Sequence, residues 1–211
     1  MRKILGSRLP YFKYNESEQL RGSLVFIGLN HYQLFYVSDI ARSLDDNSRD
    51  YMLDISARIG GLPTIRLQKN TKEFMDFSRL KSPPKFPLAP WGLQRLLEYV
   101  RVNCKNPAIE TTENGFPLLT STGHNDTKRV EYLQVYIESL LTSIRMGSHL
   151  RGYFVWSFMD CFELLFGYTV EYGLYEVDFN DKDQKRYPKL SAEWYTTFLT
   201  KHGKERKSFS Y

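Results

Sequence analysis

Three short stretches of this sequence hold residue types that could do chemistry together: Asn30-His31-Tyr32, Glu113-Asn114-Gly115, and Trp156-Ser157 with Glu163 a little further on. A carboxylate can attack an electrophilic carbon, and an amide and a phenol can aim it. The set suits a sugar, whose C–H faces pack on an indole and whose hydroxyl edges need polar partners. Each piece alone has a plainer reading. A Glu at a strand end is usually a surface carboxylate, and a lone Trp in a strand is usually core. Asn114-Gly115 reads as a turn. His31 reads as a structural histidine, because no Ser or Cys nucleophile motif accompanies it. The combination is what raises the functional reading.

The elements that would position them follow from pattern. Residues 24–30 (LVFIGLN) and 152–157 (GYFVWS) are short apolar runs with the length and β-branching of buried parallel strands. Residues 107–112 (PAIETT) form a third strand ending at Glu113. Pro90 opens a helix over about 90–103 with Leu93, Leu96, Leu97 and Val100 on one face. A longer helix, about 128–146, carries Val130, Leu133, Ile137, Leu140, Leu141 and Ile144, and Gly147 ends it at the position after the cap. Residues 173–179 (GLYEVDF) read as a short strand or hairpin arm, and Ser191 as the cap of a last helix over about 192–202. Residues 38–88 lack periodicity and read as a long excursion with little regular structure. Strand and helix alternate, which signals an α/β fold with a parallel sheet and right-handed crossovers. In such folds ligands bind beyond the carboxyl ends of the strands, where all three stretches fall. No internal repeat or second-domain linker is evident, so 1–211 reads as one domain.

Composition narrows the classes. Aromatic residues make up 15% of the chain, which fits either a large aromatic core or a pocket that stacks flat ligands. The net charge is +5, and the last eleven residues carry +3 of it through Lys201, Lys204, Arg206 and Lys207 against Glu205. That is a solvated end rather than the basic face a nucleic-acid partner requires. Cys104 and Cys161 have no C-x-x-C spacing, so no zinc site follows and nothing argues for a disulfide. The opening residues lack the apolar stretch of a signal peptide, and no apolar run reaches membrane-spanning length. Asn15 and Asn125 head glycosylation triplets.

Thr112-Glu113-Asn114-Gly115 after Asn106-Pro107-x-Ile109 resembles a strand of family 1 glycoside hydrolases. Further blocks match in order: Arg8-Leu9-Pro10-x-Phe12, Gly22-Ser23-x-x-Phe26-Ile27-Gly28-x-Asn30-x-Tyr32, Asp126-x-x-Arg129-Val130-x-Tyr132-Leu133, Gly152-Tyr153-Phe154-x-Trp156-Ser157-x-x-Asp160-x-Phe162-Glu163, Gly173-Leu174-Tyr175-x-Val177-Asp178, and Arg186-x-Pro188-Lys189-x-Ser191-Ala192-x-Trp194-Tyr195. Plant members look most similar. The resemblance implies a partial (β/α)8 TIM barrel, about strands 6–8 with their helices and long βα loops, and a retaining β-glucosidase chemistry on small-molecule β-glucosides without metal or cofactor. Glu113 would be the nucleophile, with Tyr32 orienting it. Asn30, Trp156, Glu163 and Tyr172 would bind substrate, with Tyr172 in the place of a family Phe. Some relatives transfer glucose or cleave thioglucosides, and full-length plant relatives usually enter the secretory path, to vacuole or apoplast.

Departures bear on this expectation. The family's acid/base Glu belongs to an Asn-Glu-Pro motif, and none occurs here; the chain reads as beginning between strands five and six. It would then be inactive alone. The alternative is a non-catalytic relic that binds sugars weakly or self-associates through its exposed strand edges. Leu164 stands where a Trp contacts sugar, Cys161 where Asn is usual, Glu171 where a basic residue is usual, Val25 where Asp is typical, and Glu110 and Thr111 where the strand is apolar.

Overall fold

The computed structural model describes residues 6–39, 57–60, 88–119, 123–164 and 166–206, with the side chains of 58–60 and 202–206 left aside. The described residues fall into two compact units. One, drawn from 6–25, 34–39 and 57–60, holds a 3-10 helix at Gly6–Arg8, helix α1 (Tyr14–Leu20), and strands β2 (Tyr36–Asp39) and β3 (Ala57–Gly60), paired antiparallel. The Lys13 amide donates to Glu16 Oε2 at 2.7 Å, which satisfies one of the free donors at the start of α1. The β2–β3 ladder is the regular structure described within the excursion read over 38–88; the greater part of that span lies outside the described residues.

The other unit, from 26–33 and 88–206, contains every candidate site residue. Its elements are β1 (Ile27–Asn30), α2 (Pro90–Asn103), β4 (Ile109–Asn114), β5 (Leu118–Leu119), α3 (Thr127–Arg145), β6 (Leu150–Val155), β7 (Val170–Glu171), β8 (Tyr175–Val177), β9 (Arg186–Pro188) and α4 (Leu190–Arg206). Strands β1, β4 and β6 form a parallel sheet in that order. The helices α2 and α3 are the connections that parallel neighbours need.

One sheet face is covered. Leu93, Leu97, Leu133 and Ile137 of α2 and α3 pack with Ile109, against Ile27, Leu29, Leu150, Tyr153 and Val155. Burying a Leu or Ile contributes about 1.5–3 kcal/mol, so this face supplies the main packing energy. The other face is open among the described residues: Phe26 is 40% and Phe154 56% exposed. All-parallel sheets are normally covered on both faces.

Several element expectations are corrected. The first strand begins at Ile27, and Leu24 and Val25 are exposed. The third is Leu150–Val155, so Trp156 lies just past its end. On α3, Leu141 and Ile144 are exposed, while Arg129, Tyr132 and Tyr136 join the buried face with Leu133. Ser191 is not a cap but the second residue of α4; its amide and hydroxyl both bond Asp126, at 2.8 and 2.5 Å. Residues 173–179 do supply a hairpin arm, β8 with β9. Gly147 takes φ +94° after α3, as the C-terminal turn requires of a residue without a Cβ.

Candidate active site

The three candidate stretches meet because the sheet register aligns their ends. Asn30 of β1 sits opposite Glu113 of β4, and Asn114 opposite Val155 of β6. Backbone pairing continues one step past the strands. The His31 amide donates to Glu113 O and the Trp156 amide to Asn114 O, both at 2.9 Å. Backbone bonds on both sides of β4 therefore hold Glu113 where it stands.

Asn114 locks this arrangement from beneath. It is fully buried and uses its whole carboxamide. Its Nδ2 donates to His31 O at 2.6 Å and to the Tyr132 hydroxyl at 2.7 Å, and the Tyr153 hydroxyl donates to its Oδ1 at 2.8 Å. One side chain thus joins the chain after β1, helix α3 and strand β6. Gly115 is required next because a Cβ there would meet Trp156 O at 1.8 Å. The peptide between Trp156 and Ser157 is cis.

Above this base the polar side chains converge. The Tyr32 hydroxyl donates to Glu113 Oε2 at 2.5 Å, and Thr112 Oγ1 donates to Asn30 Oδ1 at 2.7 Å. The Tyr172 ring stands edge-on to Tyr32, with centroids 5.8 Å apart. The Trp156 indole N–H donates to Glu163 Oε1 at 3.3 Å. Burial and the neighbouring Glu113 carboxylate push the Tyr32 hydroxyl far above its ordinary range, so it remains a proton donor. Burial likewise pushes Tyr172 up to about 12, helped by the Glu163 charge. Burial raises the Glu163 carboxyl, against the pull of its bonds from Trp156 and Cys161. His31 is buried, with Nδ1 unpartnered among the described residues, and burial lowers its pKa, so it is neutral and matches its structural reading.

Sequence reasoning missed the frame that carries the loops. Arg129 is fully buried. It bonds Asp126 Oδ2 at 2.5 Å, Gly173 O at 2.6 Å and Glu171 O at 2.7 Å, flanking Tyr172 on both sides. Lys189, also buried, donates to both Asp160 oxygens at 3.0 and 2.8 Å and to Glu171 Oε2 at 2.6 Å. Asp160 in turn accepts the Gly173 amide at 2.8 Å. The β5–β7 pair ties the loop after β4 to the loop after β6. The spacing Asp126-x-x-Arg129 was visible, but such i,i+3 pairs usually lie on a solvated helix face.

The model of glycosyl hydrolase family 1 matches residues 1–204. The chain belongs to this family. Among its relatives, β-glucosidase 9 of Arabidopsis thaliana is 41% identical over 202 residues, covering 94% of this chain and 37% of the relative. The cyanidin 3-O-glucoside 7-O-glucosyltransferase (acyl-glucose) of Delphinium grandiflorum is 41% identical, covering 100% of this chain and 38% of its own length. The crystal structure of a rice β-glucosidase, Os3BGlu6, superposes with a TM-score of 0.76 at 31% identity, covering 92% of this chain and 40% of that one. The chain thus spans about two fifths of the length of these relatives, and its fold is part of a (β/α)8 barrel.

The departures from the family 1 pattern have structural counterparts. Glu171 is not an unpaired charge, since Lys189 neutralises it. Glu110 is half-buried beside Gly152, and the Thr111 hydroxyl is buried without a partner among the described residues. Leu164 is 92% exposed and Val25 79% exposed, so neither packs.

Proposed function

We propose that this chain is the nucleophile-bearing part of a retaining β-glucosidase-type hydrolase acting on small-molecule β-glucosides. The observation that carries the reading is the Tyr32–Glu113 hydrogen bond at the carboxyl end of the central strand, beside the Trp156–Glu163 pair. Glu113 attacks the anomeric carbon and forms a glycosyl-enzyme intermediate. Tyr32 holds the attacking carboxylate in line. Trp156 lies under the sugar ring, and Asn30, Glu163 and Tyr172 bond or contact its edge. The chemistry is that of two carboxyl groups about 5–5.5 Å apart, and it calls for neither metal nor cofactor. These strands correspond to barrel strands six to eight, and residues 1–211 form one incomplete domain. The names of the relatives support glucoside chemistry; that of the Delphinium relative also fits transfer of the glucosyl unit to an acceptor other than water.

No Asn-Glu-Pro occurs in the sequence, so the acid/base partner lies outside these 211 residues. Loss of general acid catalysis alone slows the reaction by about 10²–10⁴-fold. The purified chain should therefore turn over an ordinary aryl β-glucoside far more slowly than an intact family member. A dinitrophenyl 2-deoxy-2-fluoro-β-glucoside, whose leaving group needs no proton, should label Glu113, and Glu113→Gln should abolish the label. Labelling at another carboxylate would overturn the nucleophile assignment. Turnover near that of an intact enzyme, lost in Glu113→Gln, would overturn the missing-partner reading.

A second reading rests on the open sheet face bearing Phe26 and Phe154: the chain self-associates as a non-catalytic relic with weak sugar binding. A monomer that unfolds cooperatively in dilute solution would count against it.

A further inference from the structure

Glu163 is the only proposed sugar contact whose carboxylate is gripped by two different side chains at one oxygen. The Trp156 indole donates to Oε1 at 3.3 Å, and the Cys161 thiol points to the same oxygen at 3.6 Å. Among the described residues nothing bonds Oε2. The thiol is carried by a rigid support: its neighbour Asp160 is buried, holds Lys189 and the Gly173 amide, and gives its own amide to Tyr175 O at 3.0 Å. On the other side, Glu163 and Gly167 exchange backbone bonds at 2.9 and 2.6 Å and close the turn. Neither end of the Cys161–Glu163 contact is therefore free to drift.

We propose that Cys161 is a positioning residue for Glu163: its thiol, with the Trp156 indole, commits Oε1 to the protein and leaves Oε2 to accept a ligand hydroxyl. This rests on the reading of Glu163 as a sugar contact. A thiol is a weak donor, so it steers the carboxylate without neutralising it. Burial first, then the Glu163 charge, keeps the thiol protonated and able to donate.

The test follows the Glu163 carboxyl by ¹³C NMR through a pH titration of the whole chain, with Glu163→Gln giving the assignment. Cys161→Ala removes the donor and should move the Glu163 midpoint upward. Cys161→Ser has nearly the same size but restores a donor, and should bring it back toward the wild type. Equal midpoints in the two variants, or a downward move in Cys161→Ala, would show that Cys161 only fills space. A glucose-configured iminosugar separates this from the sugar reading. If it leaves the Glu163 signal unmoved while the Ala and Ser variants still differ, positioning stands and the sugar contact falls. If it moves the signal while the variants agree, the sugar contact stands and the positioning role falls.

Discussion

The Tyr32 hydroxyl and Glu113 Oε2 lie 2.5 Å apart although 81 positions separate them in the sequence. The contact exists because β1 and β4 are parallel neighbours whose register shifts after Leu29 to set Asn30 opposite Glu113, so both residues leave the sheet at the same end. A hydrogen bond to a charged group is worth about 1.5–3 kcal/mol, and this one is partly solvated, which puts it at the lower end. Tyr32→Phe should lower stability by about 1.5 kcal/mol in urea unfolding and slow labelling of Glu113 by the fluoro-glucoside roughly tenfold. Unchanged labelling would deny Tyr32 its orienting role.

Stability should fall at alkaline pH. Burial raises the hydroxyl pKa of Tyr32, Tyr132 and Tyr153 well above the ordinary value. A group with a raised folded pKa contributes stability that is complete below the unfolded value near 10 and is lost as pH climbs from there toward the folded value. The urea midpoint should hold from about pH 8 to 10 and drop above it. Tyr132→Phe should shallow that drop.

Asn114→Asp should be among the most damaging single-atom changes. It would set a carboxylate oxygen where Nδ2 now donates to His31 O at 2.6 Å, inside a fully buried position. An unsatisfied buried polar group costs about 1–3 kcal/mol and a charged one more, so a loss of about 3 kcal/mol or more at neutral pH is expected. Mild acid should recover part of it. Equal stability at both pH values would contradict this account of the hub.

Lys189→Met should strip Asp160 and Glu171 of the ammonium that bonds both carboxylates, at a cost of about 3–5 kcal/mol. Adding Asp160→Asn and Glu171→Gln to it should return part of the loss, and chemical unfolding of the two variants measures the difference. Glu171→Arg, which restores the family's usual charge, should destabilise this chain because it removes the Oε2 acceptor of the buried Lys189 ammonium and sets a second cation beside it.

Gly115→Ala should fail to fold stably, since the clash at 1.8 Å is with backbone that no rotamer change can move. Gly28→Ala is a control: its new atom would come closest to Thr112 side-chain atoms at 3.3 Å and would touch the Phe26 ring at 3.9 Å, and the protein should fold.

The sheet and its helices were legible because short apolar runs and helical spacing survive in a single sequence. Glu113, Tyr32, Trp156 and Glu163 stood out because three strand ends carry them together and because the blocks around them resemble a known family; spacing alone would have left Glu113 a surface carboxylate. The frame beneath was hidden by its own chemistry. Arg129, Asp126, Lys189 and Asp160 are charged, and charge reads as surface until its partners are known. Leu24 and Val25 erred in the opposite direction: apolar residues that lengthened the first strand on paper are exposed. Ser191 looked like a cap because its type and place fit, but the capping oxygen comes from Asp126, 65 positions earlier.

That last bond orders events in time. The first turn of α4 has no local partner for the Ser191 amide, and the oxygen it uses stands at the start of α3. A ribosome therefore exposes α3, β6 and the site loops before α4 can dock, and until then the Asp126 carboxylate has Arg129 as its side-chain partner. Amide exchange at Ser191 should report the docking of α4 separately from the formation of α3.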